Sequence, residues 1–357
     1  MTDSQLATTE IHWNRTALLT LAMTIAMLGV TGVIATLASS EERLESSTRS
    51  GLSRVRLVPS YTLLNIIQVT YTVGSQPIGL AFDGTNIWTA NSGDNTASVL
   101  RVSDGLHIMT PTVGVEPFGI AFDGTNMWLT NFGLGTGNTV SVLQASNGTP
   151  IMTPTVGTRP AGVGFDGTNM WVVNSGSNTL SVLQANNGFP VMTVTVGSNP
   201  SRIAFDGTNM WVVNIGSFSV SVIRVSDGFH VMTPTVGLNP IGIAFDGTNM
   251  WVTNFALNTV SVIRVSDGFS VMTPTVGSGP IGITFDGTNM WVANQISDSV
   301  SILSTSDGSL INTVAVGDAP TEIAYDGSKI WVTNKNSNSV SVLIAASNQV
   351  FLPIVQR

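Results

Sequence analysis

Along most of the chain, apolar and polar positions alternate in short runs that return about every 40 residues. One copy shows the rule. Ile241-Gly242-Ile243-Ala244-Phe245 alternates large and small side chains. Met250-Trp251-Val252-Thr253-Asn254 and Thr259-Val260-Ser261-Val262-Ile263-Arg264-Val265 are further runs of period two. Period two sends successive side chains to opposite faces of a strand. Asp246-Gly247-Thr248-Asn249 and Ser266-Asp267-Gly268 separate the runs. Such turns work because Asp bonds its own backbone and Gly accepts a positive φ. A fourth run, Phe269 to Val276, is closed by Gly277 and Pro280. The pattern predicts four antiparallel strands per repeat.

Trp88, Trp128, Trp171, Trp211, Trp251, Trp291 and Trp331 set the period, with spacings of 40, 43, 40, 40, 40 and 40. Seven copies of a template close to V-G-x-x-P-x-x-(I/V)-(A/G/T)-F-D-G-T-N-(M/I)-W-(V/T)-x-N run from Thr72 to about Ile344. A sheet of this kind has two apolar faces and cannot bury both alone. Radial stacking of seven sheets covers both faces and leaves only short edges. The fold class expected is all-β, a seven-bladed β-propeller of four-stranded antiparallel blades. Small pairs such as Gly79/Ala81, Gly119/Ala121 and Gly242/Ala244 suit its crowded centre. The seven Trp are expected between blades rather than as an exposed sugar-stacking ring. Closing the ring needs a strand from an end of the chain. Leu64 to Gly74 and Gln349 to Val355 both compete for that edge, and the N-terminal segment is preferred.

Before the repeats, Ala17 to Ala38 runs 22 residues without a charge, long enough to cross a hydrocarbon core of roughly 30 Å as a helix. The expected layout is a short tail at 1–16, a transmembrane signal anchor at 17–38, a flexible linker at 39–60 and the propeller at 61–357. Cleavage after Ala38 is the alternative and would release the protein. Arg43, Arg49, Arg54 and Arg56 outnumber Arg15, which by the positive-inside count points the propeller inward. Glu41, Glu42 and the short N-terminal tail argue the other way. The extracytoplasmic placement, at the cell surface or in the periplasm, is the one taken.

Composition removes whole classes of chemistry. Hydrophobic residues make up 43% and charged residues 10%, so a packed core rather than disorder is expected. The net charge of −8 argues against a nucleic-acid partner, which needs clustered Lys and Arg. The absence of Cys excludes disulfides, thiolate metal sites and Cys nucleophiles. The three His are His12, His107 and His230.

The repeat resembles the YVTN β-propeller repeat with Trp in the Tyr position, most closely at Trp251-Val252-Thr253-Asn254 and Trp331-Val332-Thr333-Asn334. Thr259 to Ile263 fits the same repeat downstream. The resemblance covers about three quarters of the chain and implies a binding or structural module on a microbial surface. It does not fix activity. Virginiamycin B lyase-like propellers also look similar in outline, and that likeness implies a His and an acidic residue near the axis with a divalent metal. Here His107 and His230 begin fourth strands, at the outer rim, so that correspondence fails.

Catalysis on a symmetric ring must break the symmetry, because nucleophile, base and oxyanion donor do different work. The D-G-T-N and S-D-G turns barely vary and share one face of the ring. The V-G-x-x-P and N-x-x-x-N loops share the other, and the departures collect there. They include Glu116 and Arg159 before the Pro, and Arg202 and Glu322 two residues after it, where other copies have Gly. A three-residue insertion enlarges the second copy's loop. Phe132, Leu134, Ile215, Phe218, Phe255 and Leu257 form an apolar set on these loops, of the kind that marks an interaction surface. The reading is a non-catalytic binding or scaffold module with a protein or glycan ligand on the variable face. The membrane is reached through residues 17–38. No catalytic residue, metal or cofactor is expected. The alternative is a propeller enzyme of the virginiamycin B lyase-like or quinoprotein-like kind, with its site on the channel axis.

Overall fold

The structure, a computed structural model, describes residues 66–345. The expected tail, membrane span, linker and C-terminal segment 349–355 lie outside the described residues. Among the described residues no helix is long and apolar enough to cross a membrane.

Seven four-stranded antiparallel sheets make the ring. Strand β1 (Ile66–Thr72) comes first. Blade 1 then follows as β2 (Pro77–Phe82), β3 (Asn86–Asn91), β4 (Thr96–Arg101) and β5 (His107–Met109), from the axis outward. Blades 2 to 6 repeat that order at 117–152, 160–195, 200–232, 240–272 and 280–315. Blade 7 supplies only Pro320–Tyr325, Ile330–Asn334 and Ser339–Ala345. Its outer strand is β1, paired from Ile66 opposite Ala345 to Thr72 opposite Ser339. The N-terminal strand thus holds the contested edge, and the two ends of the ring are stitched by one ladder.

The core lies between blades rather than within them. Trp88 and Val99 of blade 1 pack with Met127, Leu129 and Leu143 of blade 2. Trp331, Val340 and Val342 of blade 7 pack with Leu80, Ile87 and Leu100 of blade 1. All seven repeat Trp are buried, as core and not as a sugar-stacking surface. Each indole N–H still needs an acceptor when buried. Trp251 Nε1 donates to Asp246 Oδ2 at 2.6 Å, while Asp246 Oδ1 accepts the backbone N–H of Thr248 and Asn249. The Asp of every D-G-(T/S) turn is occupied in this way by its own turn and its own Trp.

The inner strands approach backbone to backbone. A Cβ on Gly79 would fall on Phe118 O, and one on Gly242 would fall on Ile281 O. Glycine at this position is therefore a packing requirement in the regular blades.

The fourth strand is shorter than the pattern predicts. In blades 1, 2, 4 and 5 it spans three residues, followed by one isolated bridge, because Pro111, Pro154, Pro234 and Pro274 lack the N–H that the ladder needs. Val194 and Val314 stand at that position in blades 3 and 6, where the strand runs six residues.

Candidate functional site

The loop face is built by a latch between neighbouring blades. The residue before each Pro has a left-handed backbone, from Gln76 (φ 50°) to Ala319 (φ 53°), and includes Glu116 (φ 52°) and Arg159 (φ 53°). An Asn or Asp from the preceding blade's loop holds its backbone N–H. Asn95 Oδ1 accepts from Glu116 N at 2.8 Å, Asn178 Oδ1 from Asn199 N at 2.8 Å and Asn258 Oδ1 from Gly279 N at 2.9 Å. Asp298 and Asn338 do the same for Ala319 and Gln76. The latch residues are themselves left-handed, which Asn tolerates best among non-glycine residues. Blade 4 breaks the rule. Phe218 holds the latch position at φ 51°, is 44% exposed and has no side-chain acceptor to offer Asn239.

Blade 2 breaks it differently. Its insertion forms a short 3₁₀ turn, Gly133–Gly135, with Leu134 80% exposed. Glu116 Oε2 accepts the backbone N–H of Leu134 at 2.6 Å, and Arg159 N donates to Gly137 O at 2.7 Å. The insertion is thus clamped from both sides. It presents the Phe132 ring, which stacks on Phe118 at 5.6 Å between centroids, with Arg159 above Phe132 at 5.0 Å.

Phe118 leads to the axis. The Arg202 guanidinium lies 4.5 Å over its ring, and Arg202 Nε donates to Glu322 Oε2 at 3.0 Å. Blades 4 and 7 meet here across the channel, so the pair spans the bore. Both side chains are largely buried. Burial pushes the Glu322 carboxyl above its ordinary value, with Arg202 opposing that shift. Arg202 Nη1 is buried with no protein acceptor. The two residues line a cavity of about 150 Å³ together with Gly79, Gly119, Gly162 and Gly242. A larger cavity of about 300 Å³ sits on blade 2 among repeat residues and is lined by no charged side chain, so it offers packing space rather than recognition.

At the two junctions where Arg202 and Glu322 replace Gly, hydroxyls of the preceding residues reach the neighbouring carbonyls. Ser201 Oγ donates to Ile241 O at 3.3 Å, and Thr321 Oγ1 bonds Pro77 O and Ile78 O at 3.3 Å. In regular blade 5 the corresponding carbonyl, Ile281 O, is satisfied by Thr253 Oγ1 at 2.9 Å.

Six of the residues singled out from sequence therefore form one connected set: Glu116, Phe132, Leu134, Arg159, Arg202 and Glu322. Ile215 and Phe218 sit on the blade 4 loop, and Phe255 lies beside Ile296 over Gly279 of blade 6, outside that set. Phe118 was missed, although it is the one aromatic residue among the seven that follow the repeat Pro. His107 and His230 are exposed on outer strands, as expected. Among the described residues no three His, Asp or Glu are grouped to hold a metal ion.

No family profile and no curated protein sequence matches the chain. Solved structures do. Kuenenia stuttgartiensis hydrazine synthase aligns with a TM-score of 0.69 at 18% identity over 82% of this chain and 99% of that one. A streptogramin B lyase structure aligns with a TM-score of 0.68 at 16% identity over 79% and 98%. At such identities the likeness establishes the seven-bladed fold alone.

Proposed function

We propose that this protein is a non-catalytic binding module of the YVTN-like propeller class, anchored by residues 17–38 and displayed outside the cytoplasm. Its ligand, a protein or a glycan, meets the loop face where blades 2, 3 and 4 surround the channel mouth. One observation carries the reading: departures from the repeat in blades 2, 3, 4 and 7 converge on a single chain of contacts, Arg159–Phe132–Phe118–Arg202–Glu322. Departures that cost regularity and still converge mark a used surface. The test is binding of the full-length protein, displayed on its own membrane, to fluorescently labelled cell-surface extracts. The reading expects F118A/F132A/R159A to lose binding while its unfolding midpoint stays near that of the parent. Full binding by that variant contradicts it. Protease shaving of intact cells checks the placement, since only an outward propeller is digested.

A second reading is favoured by Glu322, a buried carboxyl held above its ordinary value inside a cavity, which is how a general acid is set up. The two structural neighbours named above, one called a synthase and one a lyase, fit it as well. It expects a metal or cofactor in the purified protein, which elemental analysis and an absorption spectrum detect directly.

A further inference from the structure

We infer that the cavity on the channel axis binds the carboxylate of a small organic acid, held by Arg202 among the aliphatic side chains of the inner strands. The inference rests on the loop-face binding reading and names a ligand class for its axial end.

Three observations point there. The Arg202 guanidinium is only partly used. Nε serves Glu322, Nη1 is buried without a protein acceptor, and the side chain lines the cavity. Phe118 covers one face of the guanidinium, so a ligand approaches its in-plane edge, the geometry a carboxylate prefers. The second observation is charge. Arg159 sits over Phe132 with no carboxylate within 4 Å among the described residues, while the nearby acid, Glu116, is engaged by the backbone of Leu134. The mouth at blades 2 to 4 therefore offers two guanidinium groups in a chain whose net charge is −8. The third is size. A cavity of about 150 Å³ holds the volume of about five waters, enough for the head of a short acid but not for a folded segment. The apolar end of the acid then packs on Leu80, Ile120, Val163, Ile203 and Ile243, which line the same cavity.

Arg202 and Glu322 are the charged residues that line the cavity. A second carboxylate beside Glu322 is repelled unless Glu322 takes a proton, and burial already biases it that way. Binding is thus coupled to proton uptake and weakens as pH rises through the Glu322 titration.

The experiment titrates the full-length protein with butyrate, with butyramide as the neutral isostere, by calorimetry in two buffers of different ionisation enthalpy. The expected result is one butyrate site per chain, proton uptake on binding and at least a tenfold preference over butyramide. R202Q should remove the site, whereas L106A on the opposite face should leave it unchanged. Equal binding of butyramide, or butyrate binding that survives R202Q, overturns the inference. Tighter binding of acetyl-trialanine than of butyrate overturns the small-acid assignment in favour of a peptide terminus. Loss of cell-extract binding in F118A/F132A/R159A, with no butyrate site in the parent, would sink this inference while leaving the binding reading standing.

Discussion

Blades 4 and 5 are neighbours with nearly the same sequence. Between 200–237 and 240–277 they differ at Ser201/Ile241, Arg202/Gly242, Val213/Thr253, Ile215/Phe255, Gly216/Ala256, Ser217/Leu257, Phe218/Asn258, Ser219/Thr259 and His230/Ser270. All but the last lie at the loop end of the blade. The turn end, where Asp206 and Asp246 each hold their own Trp, is the same in both. Blade 5 carries two features that most blades share, a Gly that lets inner strands touch and an Asn that latches the next loop, and adds a Thr, found in three of the seven blades, that satisfies the next carbonyl. Blade 4 gives up all three at once. The ring tolerates this because each blade is held mainly by two neighbours, so one end of one blade can be respecialised. The difference separates residues that make the propeller from residues that use it.

The comparison breaks most visibly on its regular side. Trp251→Ala should cost about 5 kcal/mol, the top of the range for a buried aromatic, because it also strips Asp246 of a hydrogen bond. Chemical denaturation reads that loss. On the irregular side, Glu322→Leu should cost about 3 kcal/mol by stranding Arg202 in the channel. Restoring the repeat at both positions, R202G/E322G, should recover most of that loss. Phe218→Asn should stabilise the protein by about 1 kcal/mol, since it relieves a left-handed aromatic residue and rebuilds the latch to Asn239. The thermal midpoint checks both variants.

The pH dependence follows from the direction of the Glu322 shift. A carboxyl raised in the folded state binds its proton more tightly there than in the unfolded chain. Its contribution is fully present below the ordinary Glu range and is lost as pH rises through the folded value. Unfolding measured across that window should show E322Q flatter than the parent. Smallest of all, Arg224→Ala on the opposite face should leave the midpoint nearly unchanged, because Arg224 and Asp227 form a half-exposed surface pair.

Most of the ring was legible from sequence because each repeat states its strands, turns and Trp seven times. The choice of β1 as closing strand was readable from T-V-G, which marks Thr72-Val73-Gly74 as the end of a fourth strand. The break in the fourth strands of blades 1, 2, 4 and 5 was not read, although the Pro that causes it stood in the sequence at 111, 154, 234 and 274. The site was half legible. Arg202 and Glu322 stood out by replacing Gly, but their meeting depends on the width of the bore, which no local pattern encodes. Phe218 was noted as apolar; its backbone strain became visible only once Asn95, Asn178, Asn258 and Asn338 showed the left-handed latch it displaces.

The central claim is that the departures serve a ligand and not the fold. The variant R202G/F218N/E322G, which returns blades 4 and 7 to the repeat, tests it when unfolding and butyrate affinity are measured on the same preparation. The account predicts a midpoint at or above that of the parent with affinity reduced at least tenfold. A variant that is several kcal/mol less stable yet binds butyrate as before would contradict it.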